Sequence, residues 1–335
     1  MFTDLILIVV GAALVLVGAD KLTDGAVGIA RRFSIPELII GLTIVAFGTS
    51  MPEFVVSLLA SINHSPDLSV GNIVGSNIFN TLMILGCTAI VAPIAVERSF
   101  VRKDIPFNLF ISALFVLLIC DSFYRAEATN ILSRWDGCIL LALFAYFMYD
   151  ALKRAHATSA DAAVVPAAQP VQPSDTQDKS EAAPAPVWKL ALFILFGLVG
   201  LIGGGEVFVK GASSLAEAMG VGEAVIGLTV VACGTSLPEL ATSVMAARKG
   251  SSGIAVGNVV GSNTFNILWI LGACSVVSPL PALGLTIVDY ATLILSMILF
   301  WVFARTDYTI TRFQGGLLLL AFFGYMGWLL YALPA

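Results

Sequence analysis

Apolar residues run along the chain in ten stretches, roughly 4–28, 36–62, 70–95, 105–121 and 130–152, then 188–211, 222–247, 254–278, 284–304 and 313–333. Each is long enough at about 1.5 Å per residue to cross, or nearly cross, ~30 Å of hydrocarbon as a helix. A membrane barrel would instead show ~10-residue segments of alternating polarity, and that alternation is missing. The pattern therefore predicts an all-α integral membrane protein with ten transmembrane helices. The first run follows "MFTD" without a basic leader or a small-residue cleavage site, so it is expected to be a retained span.

Composition agrees: 58% of the 335 residues are hydrophobic and 12% charged, more apolar material than a soluble core of this length holds. A net charge of −5, scattered along the chain, offers no surface for nucleic acid and implies no obligate protein partner. The five cysteines lie within apolar runs without metal-type spacing, which predicts buried thiols. Between the two sets of five runs, residues 156–187 are rich in Ala, Pro, Gln, Ser and Asp and have no apolar period, so a disordered linker is expected there.

The runs before and after that linker are copies. "GLTIVAFGTSMPEFVVSLLA" from Gly41 matches "GLTVVACGTSLPELATSVMA" from Gly227 at twelve of twenty positions, an offset of 186. "VGNIVGSNIFNTLMILG" from Val70 matches "VGNVVGSNTFNILWILG" from Val256 at thirteen of seventeen with the same offset. Asp20 with Glu206, and Glu37 with Glu223, also pair. The chain thus divides into a first five-helix repeat, 1–155, the linker, and a second repeat, 188–335. Five crossings per copy force the second copy to enter from the opposite side. Of the seventeen Lys and Arg, all but Arg125, Arg134 and Lys210 fall at alternate connections. That bias predicts both termini outside and the linker in the cytoplasm, with the halves as inverted repeats around a central site.

Two acids mark that site. Glu53 is the only ionisable residue between Glu37 and His64, and Glu239 the only one between Glu223 and Arg248. A charge at mid-span costs about 2.5–3.5 kcal/mol, so it points to an ion pathway, against the plainer reading of a protonated acid bonded to a neighbouring helix. Pro52 and Pro238 stand beside the acids. Each removes an N–H and crowds the carbonyl four residues back, at Gly48 and Gly234, which predicts a broken helix whose freed carbonyls line a cavity. A packing kink is the alternative. Thr49 and Ser50 share a face with Glu53 if the helix persists, as Thr235 and Ser236 do with Glu239. In the next run Asn72, Ser76 and Asn80 form an i, i+4, i+8 stripe, repeated by Asn258, Ser262 and Asn266. For Asn72, Asn77, Asn258 and Asn263 a structural role between helices is expected. Hydroxyls, amide oxygens, carbonyls and two carboxylates, without His or Cys, make a hard-oxygen set suited to Ca2+ or Na+.

With "GTSMPE", "GTSLPE", "GNIVGSN" and "GNVVGSN" in inverted duplicate, the chain resembles the Na+/Ca2+ exchanger family of the cation/Ca2+ exchanger superfamily, in its compact prokaryotic form. The likeness covers nearly the whole chain outside the linker. It implies a secondary active antiporter with alternating access, in which Ca2+ and Na+ compete for mid-membrane sites and spans 1 and 6 slide across the rest. Carried over by motif position, the ion ligands are Thr49, Ser50, Glu53, Ser76 and Asn80 with the Ala46 carbonyl, and Thr235, Ser236, Glu239, Ser262 and Asn266 with the Ala232 carbonyl. No cofactor is implied beyond the transported ions, and the location implied is the inner (cytoplasmic) membrane. Some relatives carry aspartate where Asn266 stands, so the amides at 80 and 266 leave two formal negative charges, which one Ca2+ neutralises and three Na+ exceed by one. This leaves open H+ or K+ participation, and a Ca2+/H+ or K+-dependent Na+/Ca2+ antiporter is the alternative. A channel is a different class, distinguished by flux without counter-ion. An intramembrane enzyme is disfavoured because neither histidine lies near the motifs and no HExxH, GxSxG or Walker pattern occurs.

Overall fold

The computed structural model describes residues 2–63, 66–120, 130–164, 186–218, 232–282 and 284–332. His64, Arg125, Glu223 and most of the linker lie outside them. In chain order the helices of the first half are α1 (Phe2–Phe33), α2 (Glu37–Thr49), α3 (Met51–Ile62), α4 (Leu68–Val91), α5 (Asp104–Ile119) and α6 (Arg134–Val164). Those of the second are α7 (Val187–Ala218), α8 (Ala232–Thr235), α9 (Leu237–Arg248), α10 (Ser252–Val277), α11 (Ile287–Arg305) and α12 (Arg312–Ala332). The duplication holds to the residue where it matters most: the bounds of α3 shifted by 186 are those of α9.

Among the described residues six helices are long and apolar enough to cross a bilayer, and α2 with α3, bent by 47°, makes a seventh. α5 is apolar but only sixteen residues long, and the span expected over 222–247 is described only from Ala232. α6 continues to Val164, nine residues into the stretch read as linker; the Ala-rich composition there is good helix former, and the absence of an apolar period does not by itself end a helix.

A large hydrophobic cluster joins α4, α5, α10 and α11 with parts of α2, α6 and α12, while α1 contributes to a separate, smaller one with Leu201 of α7 and Ala246 of α9. α1 and α7 touch through bare backbone. A Cβ added at Gly18 would lie 2.7 Å from Leu201 N, and one at Gly197 would lie 2.6 Å from Leu22 N. Only glycine permits such an approach. At one end, Lys249 Nζ just beyond α9 sits 2.6 Å from Asp20 and 2.7 Å from Asp24, tying α1 to that helix. Glu206, the counterpart of Asp20, is exposed.

Two short antiparallel ladders were not foreseen. Ile94–Ala95 pairs with Thr309–Ile310, and Ile131–Leu132 pairs with Leu280–Pro281. Each clasps the chain leaving the third run of one repeat to the chain entering the fifth run of the other. A partly buried ion pair adds a polar link: both terminal guanidinium nitrogens of Arg154 on α6 reach Asp104 at the start of α5, at 3.0 and 2.9 Å.

Candidate functional site

The break in each acid-bearing helix falls one residue before the proline's own turn. Ser50 leaves helical geometry (φ −83°, ψ 6°) and caps α3, with Pro52 in the first turn and Glu53 just behind it. Ser236 does the same (φ −90°, ψ 6°) ahead of Pro238 and Glu239. Proline tolerates this position because the first-turn N–H groups have no helical acceptor. The consequence is that Glu53 and Glu239 sit at helix N-termini, where the backbone favours negative charge.

This geometry revises one expectation. Thr49 and Glu53 stand on different helices, so they do not share one continuous face. The Ala46 carbonyl accepts the Ser50 N–H at 3.0 Å and lies 3.4 Å from the Thr49 hydroxyl, because the helix closes its last turn before bending. Ala232 is the first residue described in α8.

Both acids are interior, each 1% exposed, and each is held by a serine from the opposite repeat. Ser236 Oγ donates to Glu53 Oε1 at 2.9 Å, and Ser50 Oγ donates to Glu239 Oε1 at 3.0 Å. Ser262 lies 3.4 Å from the same oxygen of Glu239, and Ser76 is 3.5 Å from Ser236. The second oxygen of each acid has no hydrogen-bond partner, although both are shielded from solvent. A buried carboxylate oxygen left unsatisfied is costly, and a cation relieves it.

The asparagines divide into two kinds. Asn72 Nδ2 donates to Ser57 Oγ at 3.0 Å, and Asn258 Nδ2 donates to Ser243 Oγ at 3.0 Å, pinning α4 to α3 and α10 to α9. Asn258 Oδ1 also accepts the Thr49 hydroxyl at 3.0 Å. Asn80 and Asn266 instead each keep a buried, unpaired Oδ1. They lie in π-helical turns, Phe79–Ile84 and Phe265–Leu271, so the regular four-residue stripe ends before it reaches them. Ser57 and Ser243 escaped the sequence reading, though they pair at the 186 offset and follow each acid by four residues. Among the described residues no three His, Cys, Asp or Glu side chains gather in one place to hold a metal. What the site offers is two carboxylates amid neutral oxygens, a donor set for hard cations.

The sequence profile described as sodium/calcium exchanger protein matches residues 3–152 and 189–331, leaving out the linker. Inner membrane protein YrbG of Escherichia coli is 36% identical over 82% of this chain and 79% of its own length. Sodium/calcium exchanger MaX1 of Methanosarcina acetivorans is 29% identical over 98% of this chain and 99% of its own. The solved structure of the sodium-calcium exchanger NCX_Mj, soaked with Na+ and Ca2+, superposes with a TM-score of 0.80 at 31% identity and covers 100% of both chains. With two repeats closing around paired interior acids and the family profile covering both, the chain belongs to the sodium/calcium exchanger protein family.

Proposed function

We propose that this protein exchanges Ca2+ for Na+ across the cytoplasmic membrane by alternating access, through ten crossings with both termini outside. The observation that carries the reading is the interlocked pair of acids: Glu53 and Glu239, one from each inverted repeat, each bonded by the other repeat's serine and each with an oxygen left over. Two carboxylates confined together repel, and one divalent ion or several monovalent ions relieves that repulsion. Ca2+ and Na+ then compete for the same oxygens, so occupancy by one excludes the other, which gives antiport its physical basis.

The proposed ligands are the carboxylates of Glu53 and Glu239, the hydroxyls of Thr49, Ser50, Ser76, Thr235, Ser236 and Ser262, the amide oxygens of Asn80 and Asn266, and the carbonyls of Ala46 and Ala232. Access alternates as α1 and α7, which meet each other backbone to backbone, shift as a unit against the larger cluster. The lopsided distribution of basic residues supports the orientation.

The test is 45Ca2+ uptake into reconstituted vesicles, with an outward Na+ gradient compared with a pH gradient. Native protein is expected to take up Ca2+ when Na+ drives it, and Glu53→Gln or Glu239→Gln to abolish uptake, since glutamine keeps the serine's acceptor and removes the charge. Uptake that ignores Na+ and follows pH would transfer the assignment to Ca2+/H+ antiport.

A further inference from the structure

Four buried amides lie between the repeats, and the hydrogen bonds among them have a direction. Asn80 Nδ2 donates to Asn263 Oδ1 at 3.1 Å, and Asn266 Nδ2 donates to Asn77 Oδ1 at 2.9 Å. The two bonds are related by the 186-residue offset, and all four side chains are 1% exposed. Left over are the Oδ1 atoms of Asn80 and Asn266, interior and unpartnered.

An amide has nearly the same shape whichever end it presents, but only its oxygen can bind a cation. Something must choose the end. Here the choice traces back to main-chain carbonyls, which can only accept. The Asn77 carbonyl accepts the Thr81 hydroxyl proton at 2.9 Å, so the Thr81 oxygen is left to accept, and Asn263 Nδ2 donates to it at 2.9 Å. That turns Asn263 Oδ1 toward Asn80, which answers with its NH2 and faces its oxygen away. On the other side the Asn263 carbonyl accepts from Asn77 Nδ2 at 3.3 Å, so Asn77 shows Oδ1 to Asn266, which also answers with its NH2. Met297 Sδ, 3.5 Å from Thr81 and 3.8 Å from Asn263, is too weak an acceptor to reverse this order.

We infer that Asn77, Thr81 and Asn263 are positioning residues that fix the amide polarity of Asn80 and Asn266, so that carbonyl oxygens and not NH2 groups face the transported cations. The inference rests on the Na+/Ca2+ exchange proposed above. A reversed amide would withdraw a ligand and aim partial positive charge at the ion. The relay is unequal in the two repeats, because the counterpart of Thr81 is Ile267, which has no hydroxyl. Asn80 therefore depends on Thr81, whereas Asn266 does not.

The experiment replaces Thr81, whose hydroxyl bonds no proposed ligand, and measures Na+-driven 45Ca2+ exchange in vesicles over a range of Ca2+. Thr81→Val keeps the shape and removes the hydroxyl; it should raise the apparent KM for Ca2+ about tenfold, the scale of one charge-assisted contact, with the maximal rate within about twofold of native. Thr81→Ser should restore the native KM. In an Asn80→Asp background, where both ends of the side chain are oxygen, Thr81→Val should have no further effect on KM. A native KM for Thr81→Val, a loss shared by Thr81→Ser, or an equal effect in both backgrounds would overturn the assignment. If Thr81→Val does not accumulate folded, Thr81→Ala carries the same expectation. Native protein without Na+-driven uptake would remove the exchange reading and this one together; native exchange with an indifferent Thr81→Val removes this one alone.

Discussion

Gly203 and Gly204 are neighbours on α7, yet a methyl group added to each should act in opposite directions. At Gly203 a Cβ would meet nothing within 4 Å. At Gly204 it would lie 2.7 Å from Leu14 Cβ, 2.8 Å from Val15 N and 3.0 Å from the Gly11 carbonyl on α1. Bringing the nearest of these to an ordinary contact of 3.4 Å requires α1 and α7 to part locally by about 0.7 Å. Both substitutions gain about 1 kcal/mol of helix propensity, so that gain cancels in the comparison. What remains is overpacking, about 1–3 kcal/mol against Gly204→Ala. Thermal unfolding of the purified protein can be followed with a thiol-reactive dye, because Cys120 and Cys274 are buried at 2% and 0% exposure and become labelled on opening, above the constant signal of Cys138, which is exposed and not buried as expected. Gly203→Ala should melt at or above the native temperature and Gly204→Ala several degrees below it. Equal midpoints, or the reverse order, would refute the bare-backbone contact between α1 and α7.

Removing Arg154 tests the polar link between α5 and α6: Arg154→Met leaves Asp104, itself 5% exposed, without its bidentate partner and should cost about 3 kcal/mol, the low end for a buried pair because the arginine is partly open. Adding Asp104→Asn should recover most of that loss in the same melting assay, and a native midpoint for the single variant would show the pair to be idle. The charge count of the site gives a second test. With equal Na+ on both sides, three-for-one exchange moves one elementary charge per cycle, worth about 2.3 kcal/mol per 100 mV, so an interior 100 mV positive should concentrate Ca2+ in vesicles about fiftyfold. A Ca2+ distribution that ignores the potential would mean a neutral two-for-one cycle.

The sequence announced the duplication, the helix breaks and the two interior acids, because each leaves a local mark: an offset, a proline, a lone charge in an apolar run. Partners across the repeats leave none. Nothing in the spacing of Ser236 says that it bonds Glu53 while Ser50 bonds Glu239, since that pairing depends on how two distant helices meet. The stripe through Asn72, Ser76 and Asn80 assumed an unbroken four-residue period, which the π-helical turn beginning at Phe79 interrupts. Pro52 marked the break, but the bend itself falls at Ser50, after the helix has closed its last turn onto the Ala46 carbonyl. The two ladders are two residues long on each strand, too short for alternation to register.

α1 and α7 are each 32 residues long, about 48 Å of helix against a hydrocarbon slab of ~30 Å. Tilt alone would have to exceed the usual range of about 0–40° to hide that excess, so these two helices must project into the headgroup layers. Membrane thickness therefore acts most strongly on the pair proposed to move. Lipid chain length, a property of the host cell and not of the polypeptide, becomes a setting on how readily that pair shifts.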